Sequence, residues 1–272
     1  MPALPDPFVF TQKTPYMQRV QDLVRSGHTR FVQGEIPISK AAFLADKFNR
    51  LYDCQLNKLE SSRARKLGRA TSRLLFLYTE GHERLLWILL VTDGKLAVED
   101  SGEKWRDPLT ERITLTGYEL VRTTKPVTTL EVDKLKKLRE ALTKPDIGLA
   151  EKKKIEAGIH KADLARKKAF TWTWRYTRQR HDDLREAVVD AIRRKRDDEL
   201  RQLIHTIWRT PGFSGARAQA KKFRELITGE WQRSRGKDPQ PEIPDRLGYV
   251  RRLPDVGKKL SAIKGKILEV LS

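Results

Sequence analysis

Cysteine is nearly absent: Cys54 is the one thiol in 272 residues, and only two methionines accompany it. One thiol excludes an internal disulfide and a cysteine-rich zinc site, and it fits a reducing compartment. Cys54 lies in a helical pattern beside Leu51, so it reads as a small core hydrophobe. Long hydrophobic runs are missing too. The longest, Leu85–Val91, is about a third of what spans a bilayer. The opening residues, MPALPDPFVFTQKTP, lack the charged and then apolar regions of a secretory signal. Together these absences predict a cytoplasmic chain with no membrane partner.

Catalytic signatures are missing as well. The sequence has no phosphate-binding glycine loop of P-loop spacing, no His-Glu-x-x-His and no Gly-x-Ser-x-Gly. Its histidines, His28, His82, His160, His181 and His205, show no metal-like spacing. No metal site and no cofactor are expected.

What the chain has in abundance is positive charge: 56 Lys and Arg against 36 Asp and Glu, a net +20. Like charge on this scale repels itself and opposes compaction. A polyanion relieves that repulsion and attracts such a surface over roughly 10 Å at 0.1 M salt. Nucleic acid is the expected partner. With 38% hydrophobic residues the chain still has material for a core.

Along the chain, residues 1–15 carry four prolines and read as an extended arm, and 16–33 as a short helix. Ser39 is placed to cap a helix with apolar residues from Phe43 to Leu59 at period 3.6, running on into a basic stretch, Arg63, Arg65, Lys66 and Arg69. Leu74–Tyr78 and Leu85–Thr92 form a predicted hairpin. Leu96–Val98 is the possible start of a short strand, and Ile113–Thr123 alternates as a further one. A Lys-rich stretch, 126–169, reads as a helical hairpin or linker. FTWTWRYT, residues 170–177, is a sharp strand pattern. Helical patterns follow at 182–209, 214–234 and 256–271, with a Pro-rich loop at 236–245. Grouped strands followed by grouped helices predict an α+β fold. A central antiparallel sheet of about four to five strands is expected, with flanking helices and a mostly helical C-terminal half. The corresponding division is 1–180, the sheet domain with its insertion, and 181–272, a basic helical region.

Period 2 puts Phe170, Trp172, Trp174 and Tyr176 on one face of the aromatic strand. The rings read as the buried side, leaving Arg175, Arg178 and Arg180 displayed near the strand end. Further on, Arg193, Arg194, Lys195 and Arg196 precede Asp197-Asp198-Glu199. Either i,i+4 pairs such as Arg193–Asp197 form along a continuous helix, or the helix breaks near 195 and presents the arginines to phosphate. Asp183 and Glu186 have the spacing of an acidic capping box. A helix-turn-helix reading of Ile204–Leu226 would expose Arg217, Lys221 and Lys222. Basic clusters scattered from Arg63 to Lys259 predict broad backbone contact with little sequence readout. Were the protein a metal-independent RNA-processing nuclease, Tyr176, Arg180 and His181 would be the residues to carry the reaction.

The segments Trp172–Arg175 and Tyr249–Pro254 (YVRRLP) resemble uncharacterised proteins carried on bacterial plasmids and integrative mobile elements. The resemblance transfers no functional residue. It implies a DNA-handling role in maintenance, transfer or defence of such an element. The leading expectation is a non-catalytic nucleic-acid-binding protein, DNA favoured over RNA, working alone or within a larger nucleoprotein complex. The alternatives are a ribonucleoprotein subunit or RNA nuclease, and an interaction protein for an acidic partner.

Overall fold

A mixed five-stranded sheet lies at the centre of the larger of two compact units in the computed structural model of this chain. Residues 4–96, 98, 102–124, 129–143, 147–167 and 170–271 are described. The units part at Val121/Arg122 and Trp172/Thr173, so the C-terminal helices belong with the N-terminal sheet and the boundaries lie at the insertion rather than at residue 180.

The sheet runs β2 (His28–Pro37), β4 (Arg84–Thr92), β3 (Ser72–Tyr78), β1 (Phe8–Phe10) and β8 (Gly257–Lys259). Its pairs are antiparallel apart from β1 beside β3. The α+β class holds, with that one parallel pair making the sheet mixed. The predicted hairpin is β3–β4, with Phe76 opposite Trp87. The N-terminal arm is instead β1, an interior strand, followed by α1 (Lys13–Arg25). β2 replaces the end of the helix expected over 16–33.

Alternation decides which side chains are buried against which layer. Phe76 and Leu85 turn to one face, where α2 (Ala41–Tyr52) and α9 (Leu260–Leu271) close a core through Ala41, Ala45, Leu260 and Ile263. Ile88, of opposite parity to Leu85, lines a cavity with Tyr16 and Val20 of α1 and with Trp174. Ser39 caps nothing: a 3-10 turn, Ile38–Lys40, leads directly into α2. The expected continuation of α2 to residue 70 fails at Asp53, which adopts φ 51° and ends the helix. A new helix, α3 (Lys58–Lys66), starts from a capping box in which the Asn57 side chain accepts from Leu59 and Glu60 amides and Glu60 accepts from the Asn57 amide.

The stretch from Ile113 is a tight hairpin rather than one strand: β5 (Thr114–Leu115), Thr116-Gly117, then β6 (Tyr118–Thr124). Positive φ at both central residues, 40° and 79°, is the twist a two-residue hairpin turn requires. β6 neighbours β7 (Phe170–Tyr176) in a second, three-stranded sheet. Of the expected start of a strand at Leu96–Val98, Ala97 lies outside the described residues and neither Leu96 nor Val98 is in a strand; Lys95 makes an isolated bridge with Arg69. The smaller unit contains a helical hairpin, α4 (Thr129–Leu142) and α5 (Leu149–Lys167).

After β7 come α6 (Arg178–Arg193), α7 (Asp197–Trp208) and α8 (Ser214–Arg235). Thr177 caps α6 by accepting from the Arg180 amide, so the capping box expected at Asp183 is not used. α6 ends in a 6→1 and 5→2 hydrogen-bond pair, Arg196 N–H to Ala191 and Lys195 N–H to Ile192, with Lys195 in the left-handed position. The Pro-rich loop and its continuation then strap the unit together. Trp208 Nε1 donates to the Pro244 carbonyl and Val250 N–H to Gly212. Buried Gln18 of α1 donates to the Arg251 carbonyl at 2.6 Å and accepts from Leu253 N–H at 3.0 Å. Arg19–Asp255 and Arg252–Asp22 ion pairs flank it. Val256, expected in the last helix, lies before β8, where its carbonyl accepts from Thr11 N–H.

Candidate nucleic-acid interface

In the densest predicted cluster all four cations are exposed, and the three arginines are ion-paired while Lys195 forms no ion pair among the described residues. Arg193 pairs with Glu230 of α8 at 2.6 Å, Arg194 with Asp190 at 2.8 Å, and Arg196 with Asp190 and with Glu199. Glu230 is buried, and hydrogen bonds from Arg193 and Arg233 hold its carboxyl below the usual range. The expected i,i+4 pairs do not form, because the helix breaks between their members. Asp197 instead pairs with Arg235 at 2.8 Å and Asp198 with Arg201 at 2.7 Å. These cations sit at the C-terminal end of α6, where positive charge offsets the helix dipole.

The helix-turn-helix reading also fails. A recognition helix leads into a groove with its N-terminal residues. Here the start of α8 is docked on β7, where the Thr173 hydroxyl accepts from Ser214 Oγ at 2.9 Å and from Gly215 N–H at 3.0 Å. Arg217 lies under the exposed Tyr249 ring, its guanidinium carbon 3.3 Å from the ring centre. Lys221 and Lys222 are exposed and form no ion pair among the described residues.

On β7, Trp174 and Tyr176 are buried as expected, but Thr173 is buried with them and Phe170 is exposed. Trp174 donates through Nε1 to the Met17 carbonyl at 2.9 Å. Arg175 pairs with Glu119 at 2.7 Å, and exposed Arg178 reaches Asp182 at 3.6 Å. Arg180 behaves differently. Its NH1 donates to the Thr116 carbonyl at 3.0 Å, and Lys13 Nζ donates to the same oxygen at 3.4 Å. Both cations face the ring of buried Tyr118, at 5.0 Å and 4.4 Å from its centre. Neither forms an ion pair among the described residues. Burial, reinforced by the Arg180 charge, brings the Lys13 amine down to about 8.

Tyr176 and His181, the other two residues of the nuclease reading, serve different neighbours. Burial raises the Tyr176 phenol to about 12, and its ring packs on Tyr118, 5.1 Å between centres. The His181 ring lies 5.1 Å from Phe223 of α8, with Nδ1 3.4 Å from Asp182. Among the described residues no hydrogen bond joins Tyr176 to His181.

A second basic surface surrounds α3. Lys58, Arg63, Arg65, Lys66, Arg69 and Lys95 are all exposed, as are Leu59 and Leu67. Of its two acids, Glu60 is held by the capping box and exposed Asp53 lines the cleft beside it, and none of the six cations forms an ion pair among the described residues. Arg65 donates instead to the Thr71 hydroxyl at 3.2 Å. Arg63, Arg69 and Lys95 line a cleft of about 540 Å³ whose other walls include Tyr52, Leu56 and Leu96. Gly94 lets the Lys95 turn close on the end of α3. At φ 123° it takes a shape other residues avoid, and a Cβ there would meet the Ala70 nitrogen at 2.7 Å. The run Arg63–Arg69 stands out in the sequence; Lys13 and Lys95 come to their sites only through the fold.

Among the described residues, no group of three or more His, Cys, Asp or Glu side chains is arranged to hold a metal ion. No described helix is long and apolar enough to cross a membrane. Comparison with protein-family models, curated proteins and solved structures finds no match to this chain.

Proposed function

We propose that this is a non-catalytic nucleic-acid-binding protein, with DNA favoured over RNA, acting in the cytoplasm as an accessory factor of a bacterial mobile element. The observation that carries the reading is the α3 surface. Elsewhere in the larger unit, at Arg193, Arg194, Arg196 and Arg175, arginines face carboxylates, whereas four exposed cations on α3 and two beside it, Arg69 and Lys95, form no ion pair among the described residues. Unpaired surface cations release counterions from a phosphate backbone, and that release drives sequence-independent binding. The exposed leucines of the same helix add apolar contact for sugars or bases. The mobile-element role leans on the resemblance at Trp172–Arg175 and Tyr249–Pro254 alone.

The test is fluorescence-anisotropy titration with single-stranded DNA, duplex DNA and structured RNA, each over a salt series. Log affinity is expected to fall linearly with log salt. In the double variant Arg63→Glu, Arg69→Glu the slope should shrink by about 2, roughly one per lost phosphate contact. Binding with no salt dependence, or unchanged in the double variant, would remove α3 from the interface. Binding to an acidic protein but to none of the three nucleic acids would favour the interaction-protein reading instead.

A further inference from the structure

Lys13 and Arg180 are far apart in sequence and meet at one carbonyl oxygen, that of Thr116. Each is held by neutral groups: both by the peptide oxygen and the π face of Tyr118, and Arg180 also by the Tyr176 ring, 5.3 Å from its centre. The ring and the carbonyl steady the cations without cancelling their charge. The two donor bonds are exposed, although both side chains are half-buried.

The arrangement is built by the surrounding chain. Gly117 brings the hairpin turn under Arg180: a Cβ at that position would come within 2.5 Å of Arg180 Cδ. Thr177 N–H donates to the Gly117 carbonyl at 3.0 Å and fixes the start of α6 against the same turn. Two helices, α1 and α6, therefore begin beside the cation pair. Neither has an acidic residue in its first turn, so both dipoles add to the positive potential. Burying a lysine beside an arginine is unfavourable, and a bound anion would offset that cost.

We propose that Lys13 and Arg180 together seat a phosphate monoester, carried either by the end of a nucleic-acid strand or by a free mononucleotide. The strand-end source rests on the nucleic-acid reading; the chemistry of the seat does not. Two converging cations match the charge of a monoester, which is close to −2 at pH 7, better than the single charge of an internal phosphodiester. The guanidinium offers a planar fork for two oxygens and the ammonium a compact point charge for the third.

The test compares otherwise identical single-stranded oligonucleotides ending in 5′-phosphate, 3′-phosphate or hydroxyl groups. It adds inorganic phosphate and a nucleoside monophosphate as competitors and as thermal-shift ligands. One phosphorylated end should bind about tenfold more tightly than the hydroxyl end, the scale of hydrogen bonds to a charged group. Lys13→Gln and Arg180→Gln should erase that ratio, whereas Lys13→Arg keeps it. Arg63→Glu with Arg69→Glu should weaken both ligands equally and leave the ratio intact. Thermal unfolding without ligand shows that each variant is folded. If ends are not discriminated but the two small phosphates compete, and Lys13→Gln abolishes that competition, the seat stands with the free monoester as its source. If no nucleic acid binds and inorganic phosphate still raises the unfolding temperature of the wild type but not of Lys13→Gln, the seat stands and the nucleic-acid reading falls. Equal affinity for all ends, with no effect of either small phosphate, overturns the seat.

Discussion

Lys13 is held where a lysine opposes folding. Its amine is partly desolvated and faces Arg180, and the nearest groups that help it are a carbonyl and a ring. The folded-state amine titrates near 8 and the unfolded one near 10.5. Between those values the unfolded chain holds more protons than the folded one, so this residue makes stability rise with pH across that window. Below it, the charged amine costs stability in full; above it, the cost is gone. Lys13→Met keeps most of the side-chain volume and removes the charge. The variant is expected to be more stable than wild type below pH 8 and equal to it above pH 10.5, while losing any preference for a terminal phosphate. Chemical denaturation at the two ends of that window decides it: a Met variant no more stable at low pH would mean that the amine is well solvated. No local feature of the sequence marks Lys13. It matters because residues 116–118 and 180 arrive beside it, which period and composition do not encode.

Elements that carry their own period were readable, and those defined by a partner were not. The β3–β4 hairpin follows from two apolar runs joined by Glu80-Gly81, while the helical insertion and the break after Arg194 were each one of two readings that thin apolar stripes and a stripe interrupted by cations left open. By contrast, β1 and β8 are three residues each, too short for a pattern, and pair with each other across some 250 residues of sequence. The ion pairs of the arginine cluster were misread for a related reason. Arg193 is matched by Glu230 and Asp197 by Arg235, both from α8, whereas sequence spacing offers only neighbours on the same helix. The C-terminal strap is the clearest case of an element without regular structure. Its prolines mark a loop, but its order comes from Gln18, which satisfies a carbonyl and an amide of residues 251–253 from inside the fold. Gln18→Ala leaves both backbone groups without a partner and should lower stability by about 2–3 kcal/mol in a denaturant titration. A loss below about 0.5 kcal/mol, the scale of a surface change, would mean that the strap is held by its flanking ion pairs.

Charge is the property of the whole molecule, and its distribution separates two ways of meeting a polyanion. Between Arg122 and Trp172 lie 14 Lys and Arg against 7 Asp and Glu, so this stretch supplies 7 of the net +20. A helical hairpin of that composition could dominate non-specific binding simply by its charge, with the α3 surface incidental. Excision distinguishes the two. β6 and β7 are neighbours in one sheet, so replacing residues 125–169 by a short Gly-containing turn should leave the larger unit able to unfold cooperatively. If α3 carries the interface, the shortened chain keeps a steep salt dependence, and reversing Arg63 and Arg69 still lowers its slope by about 2. If the slope collapses on excision and the α3 reversals then change nothing, the hairpin is the nucleic-acid arm. The terminal-phosphate ratio is expected to survive excision in either case, because Lys13, Thr116 and Arg180 all belong to the unit that remains.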